Sequence, residues 1–89
     1  MSFFVYLIGT RKKKKLITYV GYTNNIVRRI NLHNSGLGAK FTRGRSWKLM
    51  YYEKCMTKKE AISRECYIKK IFHPHMRAQY HYLLKTWFY

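Results

Sequence analysis

Acidic residues are the scarcest class in this 89-residue sequence: three face nineteen lysines and arginines, for a formal net charge of +16. This shortage excludes two-metal catalysis, which needs more carboxylates than Glu53, Glu60 and Glu65 can bring together. The excess of cations predicts attraction to polyanions, with nucleic acid as the leading candidate. Since no apolar stretch reaches about 18 residues and no amphipathic segment is dominated by basic residues, we expect no membrane association.

Cysteine is also rare, with Cys55 and Cys66 as its two occurrences. The N-terminus lacks the basic region of a signal peptide, so we expect reduced thiols in a cytoplasmic or nuclear protein that is not secreted. A zinc site of Cys55, Cys66, His73 and His75 would not follow the spacing of known structural zinc motifs.

Composition predicts one domain over residues 1–89. With 47% hydrophobic and 18% aromatic residues, the chain can build one compact core near the lower size limit for independent folding. Nine tyrosines suggest buried rings whose hydroxyls reach polar partners. We place the core at about residues 3–72 and a C-terminal helix and tail at 75–89.

Two apolar, β-rich runs open the chain. Phe3–Ile8 and Leu16–Tyr22 read as strands of an antiparallel hairpin, and the basic block Arg11–Lys15 reads as the loop between them. A helix is predicted over Ile26–Asn34, capped by an asparagine just before it and ended by Gly36. The cap is either Asn24 or Asn25.

Capping signals also place the second half. A third strand is predicted at Trp47–Cys55, followed by a capping box, Thr57–Glu60, that opens a helix to about Phe72. Pro74 ends that helix, and a further helix is plausible over Met76–Lys85. The predicted order is β-β-α-β-α-α, an α+β fold with a small three-stranded antiparallel sheet flanked by helices.

Glu65 stands on the apolar face of the second predicted helix, with Ala61, Ile68 and Phe72. A carboxylate placed there needs a cation or strong donors, because burying it alone is costly. The basic side chains that could pair with it are Arg28, Arg29 and Lys69.

The order and spacing of several polar residues resemble the GIY-YIG nuclease superfamily from about Phe3 to Ile71. The first half-motif reads Phe4-Val5-Tyr6 and the second Tyr19-Val20-Gly21. Arg29 follows Tyr19 by ten residues, and His33 and Glu65 come later in the order of the family. The chain resembles small stand-alone catalytic modules of that superfamily, and the fold implied is the one predicted above.

The resemblance implies a DNA endonuclease that leaves 3′-hydroxyl and 5′-phosphate ends. In it Tyr6 assists deprotonation of water, Tyr19 orients the nucleophile or phosphate, and Arg29 holds the scissile phosphate. Glu65 would bind one Mg²⁺ or Mn²⁺, which keeps most of its waters. His33, one turn beyond Arg29, could orient water, relay a proton or contact the phosphate.

Each of these residues also has a structural alternative. Tyr6 and Tyr19 could fill the core, and His33 could be a structural or exposed histidine. Arg28 is the rival of Arg29, since the two point about a hundred degrees apart on a helix and one of them can face the site.

Further basic residues are predicted to contact nucleic acid. The loop from Gly38 to Trp47 resembles a glycine-rich basic loop of small family members, in which cations meet phosphates. Four lysines at the hairpin tip would extend this footprint, and Gly21 would permit close approach of backbone or substrate. The predicted contacts are Gly21, Lys40, Arg43, Arg45, Lys12, Lys13 and Lys14.

Two other functions remain open from the sequence. Besides a nuclease selective for flap, branched, nicked or single-stranded DNA, the chain could be a catalytically silent or partner-activated module that binds nucleic acid with steep salt dependence. The aromatic tail Trp87-Phe88-Tyr89 could dock a protein partner or form a homodimer.

Overall fold

The computed structural model describes residues 2–71, which form a sheet and two helices. The elements are β1 (Phe3–Lys12), β2 (Lys15–Thr23), α1 (Ile26–Asn34), β3 (Lys48–Cys55) and α2 (Lys58–Ile71). The three strands form one antiparallel sheet in the order β2-β1-β3. The α+β fold and its first five elements are confirmed. The predicted helix Met76–Lys85 and the aromatic tail lie outside the described residues, and the domain limits stay a prediction.

The β1–β2 hairpin is longer than predicted. Its ladder continues to the pair Lys12 and Lys15, which leaves a two-residue turn at Lys13 and Lys14. The predicted loop Arg11–Lys15 was therefore wrong, because these side chains are exposed and their charge does not prevent the backbone from pairing. Lys13 has a φ of 59°, a left-handed conformation that costs a non-glycine residue about 1–2 kcal/mol.

Successive side chains of β1, the central strand, point to opposite faces of the sheet, and each face carries its own cluster of buried residues. Val5 and Leu7 join the larger apolar cluster, to which α2 contributes Ala61 and Ile68. The opposite face carries a second cluster, whose buried members are Tyr6, Ile8 and Trp47 and against which Ile30 of α1 packs. The site predicted around Tyr6 therefore lies on the α1 face.

Both helices begin at the predicted caps. Asn25 caps α1, its side-chain oxygen accepting from the Arg28 amide at 3.1 Å, and Gly36 follows the helix with a φ of 83°. The Thr57 hydroxyl accepts from the Glu60 amide at 3.1 Å at the start of α2. Within residues 2–71, neither helix has the length and apolar character needed to cross a membrane.

Candidate active site

A buried tyrosine hydroxyl is the meeting point of β1 and α1. The Tyr6 Oη atom lies 2.8 Å from His33 Nε2, and Arg29 Nε donates to the same oxygen at 3.4 Å. Tyr6 is 1% exposed and His33 is fully buried, whereas Arg29 is half-buried. Arg29 and His33 are four residues apart, so one turn of α1 presents both to the phenol.

Thr42 contacts the ring nitrogen of His33 that does not face Tyr6. The Thr42 hydroxyl is placed to donate its single proton to the Ala39 carbonyl at 3.0 Å and to accept from the Ala39 amide at 3.2 Å. Its contact with His33 Nδ1 is 2.8 Å, and with the hydroxyl proton directed to Ala39 we assign the proton of His33 to Nδ1. A neutral His33 then has a lone pair on Nε2, so the Tyr6 hydroxyl donates to His33 and accepts from Arg29.

Two glycines make room for this hydrogen-bonded chain. A Cβ atom at Gly21 would lie 2.5 Å from Tyr6 Oη and 2.7 Å from its Cζ. At Gly38 a Cβ atom would lie 2.7 Å from His33 Cγ and 2.8 Å from His33 Cα, a backbone atom that a side-chain rotation cannot move. All four distances are shorter than real Cβ contacts, so glycine is required at each position for the observed packing.

Burial sets the charge states of the hydrogen-bonded side chains of Arg29, Tyr6 and His33. It raises the pKa of the Tyr6 phenol, and the Arg29 guanidinium opposes that rise only in part. Burial, helped by the charge of Arg29, lowers the pKa of His33 below 6.5. The hydrogen bond to Tyr6 raises the pKa of Arg29. At neutral pH the ground state is therefore a neutral phenol, a neutral imidazole and a guanidinium cation.

Tyr19, on β2, lies beside the hydrogen-bonded side chains of Tyr6 and His33. Its ring centroid lies 6.5 Å from that of Tyr6 and packs edge-on against His33 at 5.1 Å. Arg28, the rival of Arg29, is exposed and lines a groove on the outer side of α1 with Val27 and Asn31. The structure thus brings Tyr6, Tyr19, Arg29 and His33 together and leaves Arg28 outside.

Glu65 approaches the site from α2, and its nearest partner is Lys69. The two form an i,i+4 ion pair of 2.7 Å, and the Glu65 side chain is 17% exposed. Of the three basic partners that the sequence left open, Lys69 is the one observed. Burial raises the pKa of Tyr6 most, and the charges of Tyr19 and, to the smallest extent, Glu65 add to that rise.

The donor set near Tyr6 fits a weakly coordinated Mg²⁺ or Mn²⁺ ion and no richer site. Among residues 2–71, no three histidine, cysteine or acidic side chains come together. Glu53 is bound by Tyr51 and Arg64, Glu60 accepts from the Met56 amide and Glu65 is paired with Lys69. Of the three, Glu65 is the one whose charge acts on Tyr6, so a metal at this site would take Glu65 in place of Lys69. Mg²⁺ accepts one protein oxygen together with waters and phosphate oxygens. The zinc alternative draws on His73 and His75, which lie outside the described residues.

The predicted nucleic-acid contacts fall into four settings. Arg43, Arg45 and Lys12 line one cationic groove with Thr10, Arg11 and Gly44, while Lys13 and Lys14 form the exposed hairpin turn. Lys40 is exposed in the turn that precedes Thr42. Gly21 faces the Tyr6 hydroxyl, which accounts for its lack of a side chain. Contact of these residues with nucleic acid stays a prediction.

Three residues of the loop from Gly38 to Trp47 were given no individual role from the sequence, namely Gly38, Phe41 and Thr42. Thr42 and Gly38 act through His33, from which they are separated by a helix end and a turn. Phe41 carried a signal that could have been used: it is an aromatic residue set among cations, a pattern typical of nucleic-acid binding.

Comparison with known proteins identifies relatives over the described residues and beyond. The model of the GIY-YIG catalytic domain family matches residues 2–79. The UPF0213 protein of Clostridium perfringens is 51% identical over 69 residues, which cover 76% of this chain and 71% of that protein. The UPF0213 protein of Bacillus licheniformis is 50% identical over 54 residues, 60% of this chain and 56% of that protein.

A solved relative has the same UPF0213 designation. It is the solution NMR structure of a Bacillus halodurans protein, 37% identical, with the match covering 93% of this chain and 85% of that one at a TM-score of 0.45.

Proposed function

The chain belongs to the GIY-YIG catalytic domain family, and on that premise we propose that it hydrolyses DNA phosphodiester bonds with the help of one divalent metal ion. We further propose selectivity for flap, branched, nicked or single-stranded regions and products with 3′-hydroxyl and 5′-phosphate ends. The observation that carries the proposal is the hydrogen-bonded chain from Arg29 through Tyr6 to His33. It directs a proton away from the phenol and leaves the phenol oxygen next to a cation.

The proton path follows from the hydrogen-bond directions. A water oxygen attacks phosphorus, and the bond from phosphorus to the 3′ oxygen breaks. The attacking water gives its proton to Tyr6 Oη while the Tyr6 proton passes to His33 Nε2, so that no phenolate accumulates. The departing 3′ oxygen takes a proton from a solvent water to become the 3′-hydroxyl, and His33 then returns its extra proton to solvent. Since burial raises the pKa of Tyr6 and lowers that of His33, a separated phenolate and imidazolium would be costly, and the two transfers are concerted with attack.

Arg29 and Glu65 supply the charges that this reaction needs. The guanidinium of Arg29 has five N–H groups, of which Nε binds Tyr6 and another interacts with Tyr19, and the others can hold a phosphate oxygen. Glu65 would hold Mg²⁺ or Mn²⁺ through its carboxylate after Lys69 turns away, and such an ion when bound supplies positive charge to phosphate oxygens.

The test is cleavage of labelled duplex, flap, branched, nicked and single-stranded DNA with Mg²⁺, Mn²⁺ or EDTA. Glu65→Gln is expected to lower the rate by at least about 100-fold. DNA affinity should be kept, because the change removes a negative charge. Glu60→Gln is the matched control: it removes the same charge from the same helix, and glutamine still serves the capping box. Equal rates for the two variants would contradict the assignment of Glu65.

A second candidate function is a DNA-binding module without cleavage. The observation in its favour is the Glu65–Lys69 ion pair, which gives the carboxylate a cation of the chain's own. That module would bind DNA with a steep salt dependence and equally well with Mg²⁺ or EDTA. Binding without cutting on all five substrates would favour it over the nuclease.

A further inference from the structure

Phe41 is an exposed aromatic ring that the rest of the site holds in a fixed position. The side chain is 51% exposed, although two rings pack against it. Tyr19 stacks on Phe41 with 6.1 Å between centroids and 21° between planes, and Trp47 meets it at 6.2 Å and 44°. Trp47 is anchored in turn, because its indole N–H donates to the Thr42 carbonyl at 2.9 Å. The ring is supported and half exposed, and since Tyr19 stacks on it and Arg45 lies over it, a base would stack on Phe41 by displacing the Arg45 guanidinium.

The surroundings of Phe41 are cationic on both sides. The Arg45 guanidinium lies 5.0 Å from the ring centroid, and it also lines the groove that contains Arg11, Lys12 and Arg43. A second groove runs along Phe41 past Tyr19 to Lys69, the partner of Glu65. No acidic residue lines either groove. A ligand that fits must offer a flat π face together with flanking negative charge, which describes a nucleotide in a strand.

We infer that Phe41 and Arg45 form a stacking site for an unpaired nucleobase beside the scissile phosphate. The Tyr19 ring lies between this site and the hydrogen-bonded residues Arg29, Tyr6 and His33, because it contacts Phe41 on one side and the His33 ring on the other. A base in a continuous duplex is already stacked on its neighbours, whereas a base in a flap, a gap or a single strand can turn onto an aromatic side chain. Phe41 thereby selects single-stranded segments, and the inference rests on the proposed nuclease function.

The experiment measures binding of the full chain in EDTA, so that cleavage does not enter. Fluorescence anisotropy of a labelled single strand and of a duplex of equal length is followed for the wild type, Phe41→Leu and Phe41→Trp. Phe41→Leu is expected to weaken single-strand binding about tenfold and duplex binding less than about twofold, and Phe41→Trp to restore it, because base stacking on an aromatic ring is lost and regained.

Two further measurements make the readout specific for stacking. In the first, a series of strands carries one abasic nucleotide, each strand at a different position. At one position the missing base should weaken binding to the wild type about tenfold and binding to Phe41→Leu hardly at all, because the missing base and the missing ring remove the same contact. The salt slope should be unchanged in Phe41→Leu and reduced by about one in Arg45→Gln, which removes a phosphate contact.

The outcomes separate this inference from the proposed function. Equal effects of Phe41→Leu on single strand and duplex, or no effect of the abasic position, would overturn the stacking site even if DNA is cut. A single-strand defect rescued by tryptophan, with no cleavage of any substrate in Mg²⁺, would keep the stacking site and reject the nuclease.

Discussion

Removing the Thr42 hydroxyl is the most direct challenge to the proposed proton path. Thr42→Val keeps the shape of the side chain but deletes the group that accepts from His33 Nδ1 and from the Ala39 amide and that donates to the Ala39 carbonyl. With no acceptor at Nδ1, the imidazole gains more by placing its proton on Nε2. His33 would then donate toward Tyr6 and could no longer receive its proton.

The size of the effect can be worked from these three hydrogen bonds. Each contributes about 0.5–1.5 kcal/mol net, and a buried donor left without a partner costs about 1–3 kcal/mol. We expect Thr42→Val to lose about 2–4 kcal/mol of unfolding free energy, within the total stability of a small domain. The single-turnover cleavage rate should fall by about 100-fold or more, the contribution of a positioned acid or base.

The assay pairs cleavage with structure. Single-turnover cleavage is measured with urea unfolding, under conditions in which each variant is folded, and ¹⁵N NMR of the imidazole identifies the protonated nitrogen. Thr42→Ser is the control, since it keeps the hydroxyl and loses one methyl group, about 0.8 kcal/mol of burial. The reasoning would be refuted by a folded Thr42→Val that cuts as fast as Thr42→Ser, or by a wild-type His33 with its proton on Nε2.

Two other predictions concern the same chain of groups. Gly21→Ala should leave the sheet folded but lower the cleavage rate by about 100-fold, because its Cβ atom would displace the Tyr6 hydroxyl from His33 and Arg29. Circular dichroism tests the fold and single-turnover kinetics test the rate, and an unchanged rate would count against this prediction. Since burial lowers the pKa of His33 below 6.5, the imidazole stays neutral to lower pH than in the unfolded chain. The acid limb of the cleavage rate should therefore lie below pH 6.5, and stability should fall by about 1.4 kcal/mol per pH unit as pH drops from 6.5 toward the folded pKa. In His33→Gln, the urea concentration at the unfolding midpoint should no longer fall with this slope between about pH 8 and pH 5. A cleavage rate that is half-maximal at a pH above 6.5 would contradict the buried neutral histidine.

Local signals made most of the fold predictable. Asn25 and Thr57 are polar caps directly before periodic segments, and their helices begin there because the side chains satisfy first-turn amides. The predicted loop Arg11–Lys15 was wrong because its basic composition does not report whether the backbone pairs between strands. The charge of Lys12 and Lys15 says nothing against strand backbone at an exposed end, where each side chain can remain in water.

The site was predictable where spacing along one element decides the geometry. The distance of four residues from Arg29 to His33 puts both on one face of α1, and the structure adds the phenol between them. The partner of Glu65 could not be chosen from sequence, because Lys69 on the same helix competes with arginines on another element. Thr42 escaped notice because its contact with His33 depends on the path of a turn, which no periodicity describes.

In the turn at 39–43, two neighbouring side chains point in opposite directions, one toward solvent and one toward His33. Phe41 points outward, whereas Thr42, the next residue, is fully buried against His33, and the turn is closed by hydrogen bonds from the Thr42 and Arg43 amides to the carbonyls of Ala39 and Lys40. If a nucleobase stacks on Phe41 as inferred above, it would restrain the backbone at Phe41 and thereby Thr42, whose hydroxyl contacts His33. Binding of the substrate outside the turn would then also hold the imidazole in place beside Tyr6.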